Sequence, residues 1–212
     1  MKAHVINLKE RTDRWETFQE NWKDAPFELV REDAIRMENV YHAVFLKHRE
    51  LLQQAKDRGE THLLVMEDDA IPCLDYVKRW SEQIKPYLDA RDDWEVFNGG
   101  MLSIRDHVKK IIRVKTDDLM TMLLGVDRGC MAHFLYFKVE PVLEKIKDWE
   151  AEGKPEFDAW YSHKLKCYAC IPFLAMQSDG FSDAENKERQ WEDRFKHEQI
   201  SMLFALREFI NA

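Results

Sequence analysis

Apolar and polar positions along the chain switch period repeatedly, and the switches mark alternating strands and helices. His4-Val5-Ile6-Asn7-Leu8 reads as a first strand, and Thr12 or Asp13 is placed to cap a helix from Arg14 to about Trp22. Pro26 to Val30 predicts a second short strand. From Val40 to Arg58 the positions Tyr41, Val44, Phe45, His48, Leu51, Leu52 and Ala55 recur at helical spacing, and Gly59 ends the run. Leu63-Leu64-Val65-Met66 is too short for a lone helix and has the apolar continuity of a strand covered on both faces. A helix from about Leu74 to Leu88 follows, then a strand over Trp94–Phe97 that runs into Asn98-Gly99-Gly100. Ile111–Lys115, Thr121–Val126 and Met131–Phe137 predict further strands. Pro141 opens a helix to about Glu150, Ala151 to Pro155 is a loop, and Asp158–Leu165 is a short helix. Lys166–Ile171 reads as an edge strand stopped by Pro172. Glu185 to Asn211 is mostly helix, with Trp191, Phe195, Ile200, Leu203, Phe204, Leu206, Phe209 and Ile210 as its apolar positions. This alternation predicts an α/β layer structure: a domain over 1–184 and a helical extension over 185–212 packed on it.

Three carboxylates, Glu67-Asp68-Asp69, close the Leu63–Met66 run. Acidic groups side by side against a low-dielectric core repel one another unless they stay wet or share a cation. Hard oxygen donors suit Mg²⁺ or Mn²⁺, and Mg²⁺ sites commonly combine one or two carboxylates with substrate phosphates. The plainer reading is an acidic cap on the next helix, with Pro72 in its first turn. Placed at the carboxyl end of a central strand, however, the triplet sits where open α/β sheets bind ligands.

The net charge of −8 argues against a protein built to grip duplex phosphates, which needs a basic face. Met1 to Leu8 runs directly into Lys9-Glu10-Arg11 with no signal-peptide core, and no run of eighteen apolar residues predicts a membrane span. Four cysteines are few for 212 residues and fit reduced thiols in a cytoplasm. Cys167 and Cys170 have the spacing of half a zinc knuckle, but no second half completes it. The C-terminal apolar stripe could rest on the inner face of a membrane; its mixed Glu, Lys and Arg face favours packing on the domain.

Three blocks in order resemble glycosyltransferase family 25, the lipopolysaccharide and procollagen-type β-glycosyltransferases of GT-A fold. Val5-Ile6-Asn7-Leu8-Lys9-Glu10-Arg11-Thr12-Asp13-Arg14 is similar to that family's opening strand and arginine-bearing turn. Phe45 to Arg49 with Met66-Glu67-Asp68-Asp69 resembles its histidine-bearing helix and its variant of the DxD motif. Gln177-Ser178-Asp179-Gly180-Phe181-Ser182-Asp183 resembles its closing segment. The resemblance implies a single Rossmann-related domain with a central, mostly parallel sheet and a C-terminal helix. It also implies transfer of a hexose from a UDP-sugar to an acceptor hydroxyl, with inversion. Mn²⁺ or Mg²⁺ would be held by Asp69 with Glu67. Donor contacts would come from Asn7, Leu8, Arg11, Arg14, Glu67, Asp68, Asn98, Gly99, Gly100, Gln177, Ser182 and Asp183. Asp158 is the implied base, with Glu156 as fallback, and Trp160 and Tyr161 nearby could stack on sugar rings. The acceptor stays open among a glycan such as lipopolysaccharide or capsule, a lipid-linked glycan, a protein and hydroxymethylated DNA bases, and the acidic charge makes duplex DNA the least favoured.

Rival readings stay open at this point. Arg11 and Arg14 could be a solvated helix face, Asn98-Gly99-Gly100 an ordinary turn, Asp158 a helix N-cap and Asp183 part of a surface turn. His48 and His133, among apolar neighbours, read as core histidines. A nucleotidyltransferase would also hold carboxylates at a strand end, but the Asn7–Glu10 turn lacks the glycine-rich phosphate loop expected of one. A catalytically silent sugar-binding protein of the same fold is the third reading.

Overall fold

The computed structural model describes residues 1–116, 118–149, 152, 156–183 and 186–207. Strand β1 (Lys2–Asn7) leads through helix α1 (Thr12–Asn21) to β2 (Glu28–Asp33), which lies parallel to β1 from Lys2–Glu28 to Asn7–Asp33. Helix α2 (Val40–Asp57) then returns the chain to the other side of β1, where β3 (His62–Glu67) pairs with it in parallel. The chain therefore reverses its direction of travel across the sheet between β1 and β3. Right-handed crossovers travelling in opposite directions put their helices on opposite faces. Phe18 of α1 accordingly packs with Ala3, Val5, Leu64 and Met66, whereas Phe45, Leu51 and Leu52 of α2 pack with Leu63 and Val65. β3 is continuously apolar because alternate side chains enter two different cores.

The chain continues through β4 (Ala70–Pro72), a helical segment made of α3 (Tyr76–Lys78), a π-helical stretch (Arg79–Ile84) and α4 (Lys85–Asp89), then β5 (Val96–Asn98). β6 (Val108–Lys115), β7 (Met120–Val126), β8 (Phe134–Lys138), α5 (Val139–Ile146), α6 (Phe157–Lys164) and β9 (Cys167–Ile171) follow. β10 (Ala175–Gln177), the hairpin β11 (Gly180–Ser182) and β12 (Lys187–Arg189), and α7 (Glu192–Ala205) complete the described chain. The main sheet runs β2-β1-β3-β8-β5-β9-β7-β6, and only β8 and β7 oppose the direction of the rest. The expected α/β domain with a central sheet of mostly co-directional strands is what the chain forms. Helix α7 is tied to it: Phe195 and Met202 are buried in the α2-side core, and the Gln199 and Glu198 side chains accept the Phe173 and Ile104 backbone N–H groups.

Several expectations are corrected. The triplet does not cap a helix, because Ala70–Pro72 turns at once into β4, paired antiparallel with β10. The predicted 74–88 helix changes register before Pro86, which has no N–H to return to the preceding turn. Neither Thr12 nor Asp13 caps α1; Arg11 occupies that position, and its guanidinium pairs with Asp13 at 3.0 Å. β9 is no edge strand but lies between β5 and β7. Its Cys167 faces the α2-side core and Cys170 the α1-side core, so one strand presents the two thiols to opposite faces and they cannot share a zinc ion. Residues 187–189, expected in a helix, form β12. Glu150, Ala151, Gly153, Lys154, Pro155, Phe209, Ile210 and Asn211 lie outside the described residues.

Asn98-Gly99-Gly100 also departs from expectation. Asn98 is fully buried, and a Cβ added to Gly100 would come within 1.9 Å of the Ala175 carbonyl oxygen. These glycines permit close packing of β5 against Phe134 and the segment before β10; they do not open a surface to a sugar. Gly59, by contrast, needs its glycine for φ +74° and has open space around it. Gly100→Ala is therefore expected to cost about 3 kcal/mol through backbone overlap, and Gly59→Ala about 1 kcal/mol through left-handed strain alone. Urea melts of the two variants check this; equal destabilisation would contradict it.

Candidate functional site

A cleft of about 770 Å³ opens beyond the carboxyl ends of β1 and β3, the switch point at which open α/β sheets place ligands. Leu8, Arg11 and Arg14 line it from the β1–α1 turn, Glu67, Asp68 and Asp69 from the end of β3, and Met131 and Asp158 from the far side. Gln177, Ser182 and Asp183 close it over the top. Three elements pin the acidic backbone. The Glu67 N–H donates to His133 O (3.1 Å), the Asp68 N–H to Ile6 O (3.1 Å), and the Ser178 N–H to Asp69 O (2.8 Å).

The three carboxylates meet different surroundings. Asp68 accepts from Asn7 Nδ2 (2.5 Å) and from an Arg14 guanidinium nitrogen (3.1 Å). Burial pushes its pKa up, and Arg14 and Asn7 pull it back. Among the described residues neither Glu67 nor Asp69 forms an ion pair, and the Arg14 charge lowers Asp69 only partly. They share one neutral donor, Gln177 Nε2, which lies 3.3 Å from Glu67 and 3.2 Å from Asp69. Burial first, then the neighbouring carboxylates, raises both: Glu67 well above the carboxylate range and Asp69 to about 7. Asn7 Oδ1 and Gln177 Oε1 are buried acceptors without a hydrogen-bond donor. The end of β3 thus places two under-compensated carboxyl groups in the cleft beside the unsatisfied Gln177 Oε1.

That donor set fits a hard divalent cation shared with a substrate phosphate. It does not fit one caged by protein alone, since among the described residues no three His, Cys, Asp or Glu side chains converge as a metal site. Opposite the acids, Arg11 pairs with Asp183, and Arg14 lies 3.7 Å from Asp183 and donates to Phe181 O. Both arginines face the cleft and also hold down the β11–β12 hairpin, so they are not a merely solvated helix face.

Asp158 lies in the first turn of α6, but Glu156, not Asp158, is the N-cap residue. Asp158 Oδ2 instead accepts the Met131 N–H at 3.0 Å, and its charge contributes to the raised pKa of Glu67. Exposed Glu156 lines the same cleft. Trp160 and Tyr161 are buried in the core, so neither is free to stack on a sugar. Asn7 reaches the site through Asp68 and the Arg11 carbonyl rather than by lining the cleft, and Asn98, Gly99 and Gly100 are not on the cleft wall. His48 is fully buried against Phe157, with Nδ1 2.9 Å from Val44 O, and burial lowers its pKa to about 4. His133 is likewise buried and lowered to about 4. Cleft residues that sequence reasoning missed include Lys47, Met131, Arg189 and Trp191. Lys47 is buried beside Glu32 and Glu50 on an otherwise apolar helix face, and that misplaced charge was the one available signal.

No family model matches the chain, so the family 25 resemblance gains no support there, and no curated protein matches it. Among solved structures it aligns with the crystal structure of A197 from STIV, at 18% identity over 88% of this chain and 91% of that one, with a TM-score of 0.48. It also aligns with the crystal structure of a glycosyltransferase involved in the glycosylation of the major capsid of PBCV-1, at 12% identity over 72% and 66%, with a TM-score of 0.41. Neither likeness is close enough to assign an activity.

The surplus charge has a measurable cost. Because Glu67 and Asp69 have raised folded pKa values, the native state holds more protons than the unfolded chain above about pH 4. Their contribution is fully favourable below that pH and is lost as pH rises through the raised values. Asp69→Asn should therefore stabilise the metal-free protein at pH 8 by about 1–2 kcal/mol, a figure reduced because the cleft keeps these groups partly wet. The gain should vanish near pH 4. Thermal melts across this range check the sign; a destabilised variant at pH 8 would contradict it.

Proposed function

We propose that the chain is a glycosyltransferase that moves a hexose from a UDP-sugar to an acceptor hydroxyl, with inversion and with Mn²⁺ or Mg²⁺. The observation that carries this reading is the under-compensated Glu67–Asp69 pair at the β1–β3 switch point, facing two arginines across one cleft. A divalent cation on Glu67 and Asp69 would stabilise the charge that develops on the leaving diphosphate. Arg11 and Arg14 would bind the phosphates once Asp183 gives way, and Asp68 keeps Arg14 oriented toward them. Asp158, lining the cleft apart from the triplet, is suited to take the proton of the attacking hydroxyl. Met37, Tyr41 and Phe157 give part of the cleft apolar walls.

Nucleotidyl transfer fits less well. The turn after β1 has no glycine to cradle phosphates, and its Arg11 N–H is already bonded to Leu8 O at 2.8 Å.

The test is a screen of UDP-sugars for Mn²⁺-dependent hydrolysis and transfer. It is followed by Asp158→Asn on whichever donor is consumed. Loss of a general base should slow transfer about 10²-fold or more while donor affinity stays within about twofold. Near-normal turnover by Asp158→Asn would remove Asp158 from the role and leave Glu156 as the group to test.

A further inference from the structure

Met131 has φ +95°, a backbone conformation that side-chain-bearing residues rarely adopt. Such geometry persists only where the surroundings over-determine it, and it concentrates at functional sites. Here the surroundings do so. The Met131 carbonyl oxygen accepts two buried donors, Asn98 Nδ2 at 2.7 Å and the Tyr161 hydroxyl at 2.5 Å. Asn98 and Tyr161 are both fully buried and lie 2.6 Å apart through their polar atoms, and Asn98 Oδ1 is fixed by the Gly100 N–H at 2.8 Å. The Met131 N–H points the other way and donates to Asp158 Oδ2. Two residues earlier along the segment, the Ser162 hydroxyl donates to the Gly129 carbonyl at 2.8 Å.

Asp158, Tyr161 and Ser162 stand at i, i+3 and i+4 of α6, one face of one helix turn. That face grips residues 129–131 at three points, and β5 supplies a fourth grip through Asn98. Two of the four contacts converge on a single carbonyl oxygen. Holding a surface-lining loop in place does not require this; fixing the direction of the Met131 N–H does.

We infer that Asn98 and Tyr161 are positioning residues. They clamp Met131 in its left-handed turn, and through its N–H they hold Oδ2 of the Asp158 carboxylate, whose Oδ1 accepts the Ala159 N–H at 2.8 Å, so that the two together orient the carboxylate in the cleft. The catalytic half of this inference rests on the reading of Asp158 under Proposed function. The clamp itself does not. It also accounts for a buried asparagine at the end of β5, a position where an apolar residue would otherwise pack.

The experiment combines hydrogen exchange of the Met131 amide with steady-state kinetics on a consumed UDP-sugar, using Tyr161→Phe. This variant keeps the ring and removes one of the two donors to the Met131 carbonyl. Exchange at Met131 should accelerate, and kcat should fall about 10- to 100-fold while KM for the donor stays within about twofold. Adding Met131→Gly, which adopts φ +95° without strain, should restore most of the lost kcat in the double variant. A residue important only for stability would lower the melting temperature without splitting kcat from KM and without rescue by glycine. Unchanged exchange in Tyr161→Phe overturns the clamp, and accelerated exchange with wild-type kcat overturns its role in positioning. If the wild-type protein consumes no nucleotide-sugar, the glycosyltransferase reading falls. The Met131 exchange rate still decides the clamp in that case.

Discussion

Glu67, Asp68 and Asp69 stand where a strand buried on both faces reaches the cleft, and the rest of the site is arranged around their mutual repulsion. Glu67 and Asp69 both touch Gln177 Nε2, which puts their nearest oxygens within about 6.5 Å. At that separation and an effective dielectric near 20, repulsion is about 2.5 kcal/mol, a sizeable part of the stability of an ordinary domain. Asp68 is relieved directly by Arg14 and Asn7; Asp69 receives only the more distant charge of Arg14 and the Gln177 amide, and Glu67 the amide. The fold holds this arrangement in place by anchoring the triplet's backbone to β1, to the residue before β8 and to the residue after β10. Without a cation the pair relieves this repulsion by taking up protons, which is what the raised pKa values of Glu67 and Asp69 express.

The position of that cluster follows from the order of the first three strands. Because β1 lies between β2 and β3, helices α1 and α2 leave on opposite faces and their starts splay apart, opening a crevice above the carboxyl ends of β1 and β3. The crevice receives Arg11 and Arg14 from one side and the α6 wall with Asp158 from the other. The β11–β12 hairpin crosses over it, fastened by the same arginines that face the ligand space.

Much of this was legible in the sequence where a local pattern had one cause. The apolar run Leu63–Met66 has no use except in a doubly covered strand, and the Val40–Arg58 periodicity with Gly59 behind it has no use except in a helix. The triplet at the strand's end located the cleft. What could not be read depends on partners distant in sequence. Gly99 and Gly100 look the same whether they approach a ligand or a neighbouring backbone, and here Phe134 and Ala175 decide. Lys166–Ile171 looked like an edge because Pro172 follows it, yet both of its neighbours, β5 and β7, are contributed by earlier parts of the chain. The β11–β12 hairpin consists of polar three-residue strands, which carry no periodic signal. Asp158 looked like a helix cap or a base; Glu156 holds the cap position and the Asp158 carboxylate turns to the Met131 N–H instead.

The central claim is that the charge on Glu67 and Asp69 is completed by a divalent cation together with a nucleotide diphosphate. Isothermal calorimetry of UDP with and without Mn²⁺ tests it most directly. Wild-type protein should bind UDP with Mn²⁺ at least about tenfold more tightly than without it, a difference of about 1.4 kcal/mol, and Asp69→Asn should lose that increment while remaining folded. Equal UDP affinity with and without Mn²⁺, or an Mn²⁺ increment that survives in Asp69→Asn, would contradict the account.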